Sequence, residues 1–390
     1  MAKNKKISRG FNLANIKVVG VGGAGGHIIT RMAQKEGIKN AEFIVINTDA
    51  QDLEYAQARK KIYIGKTLTK GLGAGMNPEL GKQAAEENRS EISEALQGAD
   101  IVFIAAGLGG GTGSLGSGVV ADIAREMGAL TIAVVTKPFS FEGAQRMKIA
   151  QEALAQLKTK VDTLVVIPND RIFNIINKDT SLIKAFEFID DVLKNAVQAI
   201  TELIVSPGVI NLDFADIKAV MKDAGAAIIG IGVTTGAERA VKAVNAAINS
   251  PLLEASIDGA KGVLFSISGG RDLKMSEIQI IAKLISDTVD PGAKVIFGAY
   301  YDRRLPLKHL KVTIIATGFG FNGLAQSSKP VSLFTSYQSD PLIEARNWML
   351  RKKKSRPKKE LNLKRKPKFL LFCGVKNTAN KSIFNAKGNL

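Results

Sequence analysis

Ile101-Val102-Phe103-Ile104-Ala105-Ala106-Gly107-Leu108-Gly109-Gly110-Gly111-Thr112-Gly113-Ser114 decides how this chain is read. The apolar run predicts a buried strand. It ends in five glycines within seven residues, 107–113, and leads into a helical pattern over 119–127. Strand, glycine cluster and helix in that order present bare backbone N–H groups beside a helix N-terminus, and such groups attract phosphate oxygens. Glycine is needed where a side chain would block the approach of the main chain or where φ is positive. Thr112 and Ser114 add hydroxyl donors, and a plain flexible turn rarely needs so many glycines. The stretch predicts a nucleotide site.

The usual phosphate loop is absent. Gly65-Lys66-Thr67 imitates its end, but position 60, where the motif requires glycine, is lysine. Asn177-Lys178-Asp179-Thr180 likewise fails to complete the guanine signature of the common GTPases. A second glycine loop follows the strand-like residues 16–19: Gly20, Gly22 and Gly25 satisfy G-x-G-x-x-G, with a helical pattern from His27. The strand over 43–46 ends near Asp49, roughly where a dinucleotide fold places its ribose-binding acid, so this loop alone suggests NAD. Two such loops in one domain suit a single polyphosphate gripped from two sides, which favours a nucleoside triphosphate. Residues 71–78, with glycines at 71, 73 and 75, either close over the terminal phosphate or form a plain surface loop.

Asn47-Thr48-Asp49-Ala50-Gln51, residues 71–78, the 109–113 loop, residues 136–143, Ile167-Pro168-Asn169-Asp170 and residues 211–216 occur in the order seen in FtsZ, the bacterial tubulin-like cell-division GTPase family. The resemblance covers about residues 16–320. It implies an α/β fold of tubulin-like GTPase type: a doubly wound, mostly parallel sheet domain joined by a long central helix to a smaller α/β domain with a mixed sheet. It also implies a GTPase that binds GTP/GDP with Mg²⁺ and assembles head to tail into a homopolymer, each nucleotide held by one subunit and hydrolysed with help from the next.

Residue by residue, the resemblance implies that Gly22, Gly23, Ala24, Gly25, Gly26 and His27 line the phosphates with Gly109, Gly110, Gly111, Thr112 and Gly113. Asn47, Asp49, Gly73, Ala74, Gly75 and Asn169 belong to the same nucleotide site, with Glu142 and Arg146 near the ribose. Asp190 is implied to accept from guanine N1–H and the amino group. Asn211, Asp213 and Asp216 are implied to reach the neighbour's γ-phosphate, Asp216 above all. The residues by themselves also admit plainer roles. Glu142 and Arg146 form an ordinary i,i+4 pair, Asp190 is one of several charges on a helix, and Asp213 caps the helix that starts at Phe214, with Asp216 one turn along. Two acids beside a positive helix end can orient an attacking water.

Three departures from the family pattern stand out. His27 replaces the usual asparagine, and the signature G-G-G-T-G-[ST]-G ends in Leu115; nucleotide binding is expected to survive both, with turnover open. Residues 377–390 carry no acidic-hydrophobic docking peptide, so binding of membrane-tethering division adaptors is not carried over.

The net charge is +18, but fourteen basic residues and one acid, Glu360, lie in 351–390, so this tail holds +13 of it. Such a run repels itself and predicts disorder. It is read as a solvated spacer, as a contact for nucleic acid or as a contact for anionic lipid, with Phe369-Leu370-Leu371-Phe372 as a shallow anchor. No stretch reaches the ~18 apolar residues of a membrane span and no signal-peptide core follows the basic start, which predicts a cytoplasmic protein; the resemblance implies a place at the mid-cell division site. One cysteine, Cys373, and two distant histidines, His27 and His309, make a structural metal unexpected.

The expected organisation is a basic arm (1–10), a GTP-binding domain (11–180), a central helix (181–206), a second α/β domain (207–320), a linker (321–350) and the tail (351–390). The central helix shows an apolar stripe of Phe186, Ile189, Leu193, Val197, Ile200 and Ile204 and stops at Pro207-Gly208. The alternative to a filament-forming GTPase is a nucleotide-binding scaffold or regulator that hydrolyses poorly and acts through the tail. An NAD enzyme ranks third, because nothing supplies a hydride-transfer base.

Overall fold

A computed structural model of the chain describes residues 14–34, 41–177, 179–205, 210, 213–250, 256–302 and 305–319. All of these belong to one compact unit. The basic arm, the linker, the tail, Pro207-Gly208 and Asn211 lie outside the described residues.

The first half alternates strands and helices: β1 Ile16–Val21, α1 Gly22–Gln34, β2 Ala41–Asn47, α2 Ala50–Tyr55, β3 Lys60–Tyr63, α3 Lys66–Thr69, α4 Pro78–Glu87, α5 Arg89–Leu96, β4 Ile101–Gly107, α6 Ser117–Glu126, β5 Leu130–Lys137, α7 Ala144–Lys160 and β6 Thr163–Pro168. The strand order β3-β2-β1-β4-β5-β6 is parallel throughout. Successive residues of each central strand go to opposite faces. Val18 and Phe103 join α1 in one core, while Val19 and Ile104 meet α6 and α7 in another. Both faces are therefore covered, which is why these strands read as unbroken apolar runs. β3 went unread in the sequence: it opens with Lys60-Lys61 and lies at the sheet edge, where charge is tolerated.

Two further details depart from expectation. The helical pattern expected from His27 starts at Gly22, so the first glycine loop is itself the opening of α1. The central helix, α8 (Leu182–Val205), buries Ile189, Leu193, Val197 and Ile200 as expected, but Phe186 is 42% exposed. The outer side of Phe186 is left open, while its ring meets buried Phe139.

After α8 come α9 (Phe214–Met221), β7 (Gly225–Thr235), α10 (Arg239–Ile248), β8 (Gly262–Gly269), α11 (Met275–Thr288), β9 (Lys294–Tyr301) and β10 (His309–Thr317). The order β7-β10-β8-β9 is mixed, with antiparallel pairs on both sides of β10 and a parallel β8–β9 pair. This half is not a separate sheet. β6 and β7 pair in parallel from Thr163↔Gly225 to Val165↔Ala227, making ten strands continuous. α8 is pinned to the second half through buried Glu202, which accepts from Tyr300 Oη at 3.0 Å and Lys311 Nζ at 3.3 Å.

Candidate functional site

The strand order reverses at β1. The chain runs outward through β2 and β3, then returns on the other side of β1 with β4. Open α/β sheets bind ligands in the crevice at such a point, outside the strand C-termini. Both glycine segments begin there, after Val21 and at Gly107.

Most of these glycines are required by the protein's own backbone. A Cβ on Gly20 would stand 2.3 Å from Gly25 O, one on Gly25 2.6 Å from Ala105 O, one on Gly113 2.6 Å from Gly107 O and one on Gly111 2.8 Å from Gly75 O. Gly110 differs, with nothing within 4 Å of its Cβ position. It is the open floor of the loop.

The two hydroxyls also hold the loop in shape: Ser114 Oγ accepts from Gly109 N–H at 3.0 Å, and the Thr112 hydroxyl pairs with that of Thr48 at 2.7 Å. Gly111 N–H donates to Gly75 O at 2.7 Å. The donors that point outward by helix geometry are those at the start of α1, from Gly22, and of the π turn Thr112–Gly116, because the first N–H groups of a helix have no partner within it. The two starts touch: a Cβ on Gly22 would be 3.0 Å from Gly113 N.

A third segment lies against the second glycine loop. Gly71, Gly73 and Gly75 have φ of 83°, 78° and 55°. The segment is fixed by Ala50 N–H on Gly71 O at 3.2 Å and by the Gly75–Gly111 bond, so it is held between the start of α2 and the second glycine loop. Asp49 Oδ1 caps α2, accepting from Gln51 and Asp52 N–H at 3.0 and 3.1 Å, and Asn47 Oδ1 accepts from Thr48 N–H at 2.9 Å. Both shape the floor of the site.

Glu142 and Arg146 pair at 2.8 Å, as their spacing predicts, although Glu142 lies in the 3-10 turn before α7 and also accepts from Phe139 N–H at 2.9 Å. The Arg146 backbone borders the loop, 3.0 Å from a Cβ on Gly109. Asn169 follows β6, and its buried Oδ1 makes no hydrogen bond. A buried acceptor without a partner is costly. A ligand hydroxyl or N–H would satisfy it.

Asp190 faces α1, where Arg31 Nε lies 3.2 Å from its Oδ2 while Arg31 Nη2 holds Glu187 at 2.7 Å. Burial raises the Asp190 carboxyl to about 6, opposed by Arg31 and then His27. Phe186 precedes Asp190 by one turn on the same helix face. Its ring meets buried Phe139 edge-on at 5.5 Å, and Phe139 also stacks on Phe141 at 4.8 Å. An exposed aromatic ring beside a carboxylate suits a flat heterocycle with N–H donors on its edge. The sequence reading assigned Phe186 to the core and did not single out Arg31. The spacing of an aromatic and an acid at i and i+4 was the available signal.

The acids stand elsewhere. Asp190 and Val205 are fifteen residues apart on α8, about 22 Å along the axis, and Asp213 follows that far end, close to Ile210, which bridges to Ala299. Asp213 occupies the N-cap position of α9, but its side chain makes no capping bond, contrary to expectation. Its own N–H is taken by Asp216 Oδ2 at 3.4 Å, and like charges one turn apart repel. Both carboxylates are exposed. No described hydrogen bond or ion pair ties either to the glycine cradle.

A cavity of about 500 Å³ lies between α7, β6, α8 and β7, lined by Leu154, Val166, Ile167, Val192, Ala196 and Ile229 among others. It contains none of the glycine loops and is not the phosphate site.

A family model described as the Tubulin/FtsZ family, GTPase domain, matches residues 15–177, and one for the FtsZ family, C-terminal domain, matches residues 225–320. An FtsZ dimer from M. jannaschii is 50% identical, with 78% of this chain and 88% of that one covered at a TM-score of 0.74. The chain belongs to the FtsZ family. GDP-bound CetZ1 from Haloferax volcanii is 23% identical over 79% of this chain and 95% of that one, TM-score 0.69. CetZ2 from the same organism, solved as a protofilament with GTPγS, is 21% identical over 87% and 100%, TM-score 0.68. These two share the fold. All three proteins, from two organisms, are archaeal, whereas the resemblance read from the sequence was to the bacterial division protein.

Among FtsZ-type loops, the Leu115 departure turns out to face away from the site. Leu115 is buried in the apolar cluster with Val119, on the helix side of the loop. His27 is exposed on α1, near enough to Asp190 to act on its charge.

Proposed function

We propose that this FtsZ-family chain is a GTP-dependent, filament-forming GTPase of cell division. GTP is held in the cradle of one subunit and hydrolysed with Asp213, Asp216 and Asn211 of the next, in the cytoplasm at the division site. The observation that supports this most is the separation of the cradle and the acids by the length of α8. One copy cannot apply its own acids to its own phosphates, whereas a head-to-tail neighbour can, and such a heterologous contact repeats into a filament.

In this reading the opening N–H groups of α1 and of the π turn bind the phosphates, and Gly73, Ala74 and Gly75 cover them. Glu142 and Arg146 border the ribose, Asn169 Oδ1 accepts from the nucleoside, and Phe186 and Asp190 hold the base. A charged Asp190 takes two donors from guanine and would face the acceptor N1 of adenine, hence GTP and not ATP. Asp216, fixed at the first turn of α9, orients a water toward the γ-phosphate. Among the described residues no group of three or more His, Cys, Asp or Glu side chains forms a metal site. Magnesium would then be carried on phosphate oxygens and water. When bound, it would supply charge neutralisation on the phosphates.

The M. jannaschii dimer and the CetZ2 protofilament are instances of self-association in similar proteins, and they support a homopolymer here. Among the described residues no helix is long and apolar enough to cross a membrane. The tail's contact with anionic lipid or nucleic acid remains a proposal from its charge alone. The test is phosphate release from GTP against protein concentration. A shared site gives a specific rate that rises above a critical concentration, and a flat specific rate would refute it.

A further inference from the structure

Arg31 joins the two helices on which the proposed nucleotide rests. It stands on α1, whose first turn opens the phosphate cradle, and reaches α8, where the base is held. Its Nε lies 3.2 Å from Asp190 Oδ2 and its Nη2 2.7 Å from Glu187 Oε1. A carboxylate has about four acceptor sites. One guanidinium contact on Oδ2 therefore leaves Oδ1 and further lone pairs for two donors from a base.

We propose that Arg31 is a positioning residue for guanine: by pairing with Asp190 it keeps that carboxylate charged and in place as the base acceptor. The proposal rests on the reading of Asp190 given under Proposed function. The surroundings explain why the help is needed. Asp190 is largely withdrawn from water, which favours its neutral form, and Glu187 and Asp191 beside it on α8 push the same way. Arg31 and His27, both from α1, oppose them, Arg31 the more strongly. Lys194 stands one turn further along α8. The other elements packed on α8 bring Lys137 at the end of β5, and Asp170 and Arg171 on the 3-10 turn Asn169–Asn174, where Asp170 accepts from Ser140. Arg31 is the counter-ion in direct contact. An opposite charge at this distance typically lowers a carboxyl by about 1–3 units, and its removal would leave three neighbouring acids on one turn.

A neutral Asp190 presents a hydroxyl and loses an acceptor, so guanine affinity depends on the ionised form. With the carboxyl at about 6, affinity of the intact chain should fall as pH drops through that value. The experiment is GDP titration of the full chain from pH 5.5 to 9 for the unaltered protein, Arg31→Met, Arg31→Lys and Asp190→Ala. Arg31→Met should move the midpoint up by about one unit or more, which makes affinity about fivefold weaker at pH 6 and equal above about pH 8.5. Arg31→Lys should restore most of the shift. If Arg31→Met keeps the original midpoint, or weakens binding by a constant factor at all pH, the proposal fails while the site stands. If Asp190→Ala binds GDP as well as the unaltered protein, the underlying reading of Asp190 fails first.

Discussion

The two ends of α8 are built to different standards of completeness. Around Asp190 and the glycine starts, the loops are tied to one another inside the molecule: Asp49 caps α2, Thr48 meets Thr112, Gly111 meets Gly75 and Arg31 spans two helices. At the far end, Asp213 and Asp216 are exposed, and the N-cap carboxylate of α9 is left without its usual bond. The difference is the one the proposed function calls for: a cradle shaped within one copy at one end of α8, and acids left open to a neighbour at the other.

The comparison breaks first at the acids. Asp216→Ala should lower GTP turnover by about a hundredfold or more, the usual weight of a positioned base, while GDP affinity and sedimentable polymer persist. Parallel turnover and binding assays check this, and normal turnover removes Asp216 from the mechanism. Next, Gly110→Glu places a carboxylate where the structure leaves open space. GDP affinity should fall about a hundredfold, about 2.8 kcal/mol, with an unchanged melting temperature. Gly113→Ala sharpens the contrast from the other side. Its Cβ meets Gly107 O, so unfolding by denaturant should show a loss of about 1–3 kcal/mol from overpacking. The smallest effect separates the two N-caps. Asp49→Ala should cost about 1 kcal/mol by losing a real cap, whereas Asp213→Ala should change stability by less than about 0.5 kcal/mol.

Much of this was legible because it rests on local patterns. The runs at 101–106 and 130–135 are apolar because both sheet faces are covered, and the glycine clusters mark places where backbones touch. What escaped were properties of distance and environment. That ten strands form one sheet depends on three residue pairs between β6 and β7, which no periodicity encodes. Phe186 fits the apolar spacing of α8 yet is 42% exposed, which its spacing does not reveal. Arg31 reads as an ordinary surface charge until α8 lies against α1. Glycines expected to make room for phosphate mostly make room for the protein's own atoms, whereas Gly75 and Gly110 have nothing within 4 Å of the Cβ position.

The divided site is tested most directly by mixing two silent variants. Gly110→Glu keeps its acids and loses its cradle, and Asp216→Ala keeps its cradle and loses its acid. Mixed one to one, about a quarter of random head-to-tail contacts pair an intact cradle with an intact acid end. Turnover should therefore reappear at about that fraction of the unaltered protein's rate. A mixture as silent as either variant alone would contradict a site divided between copies.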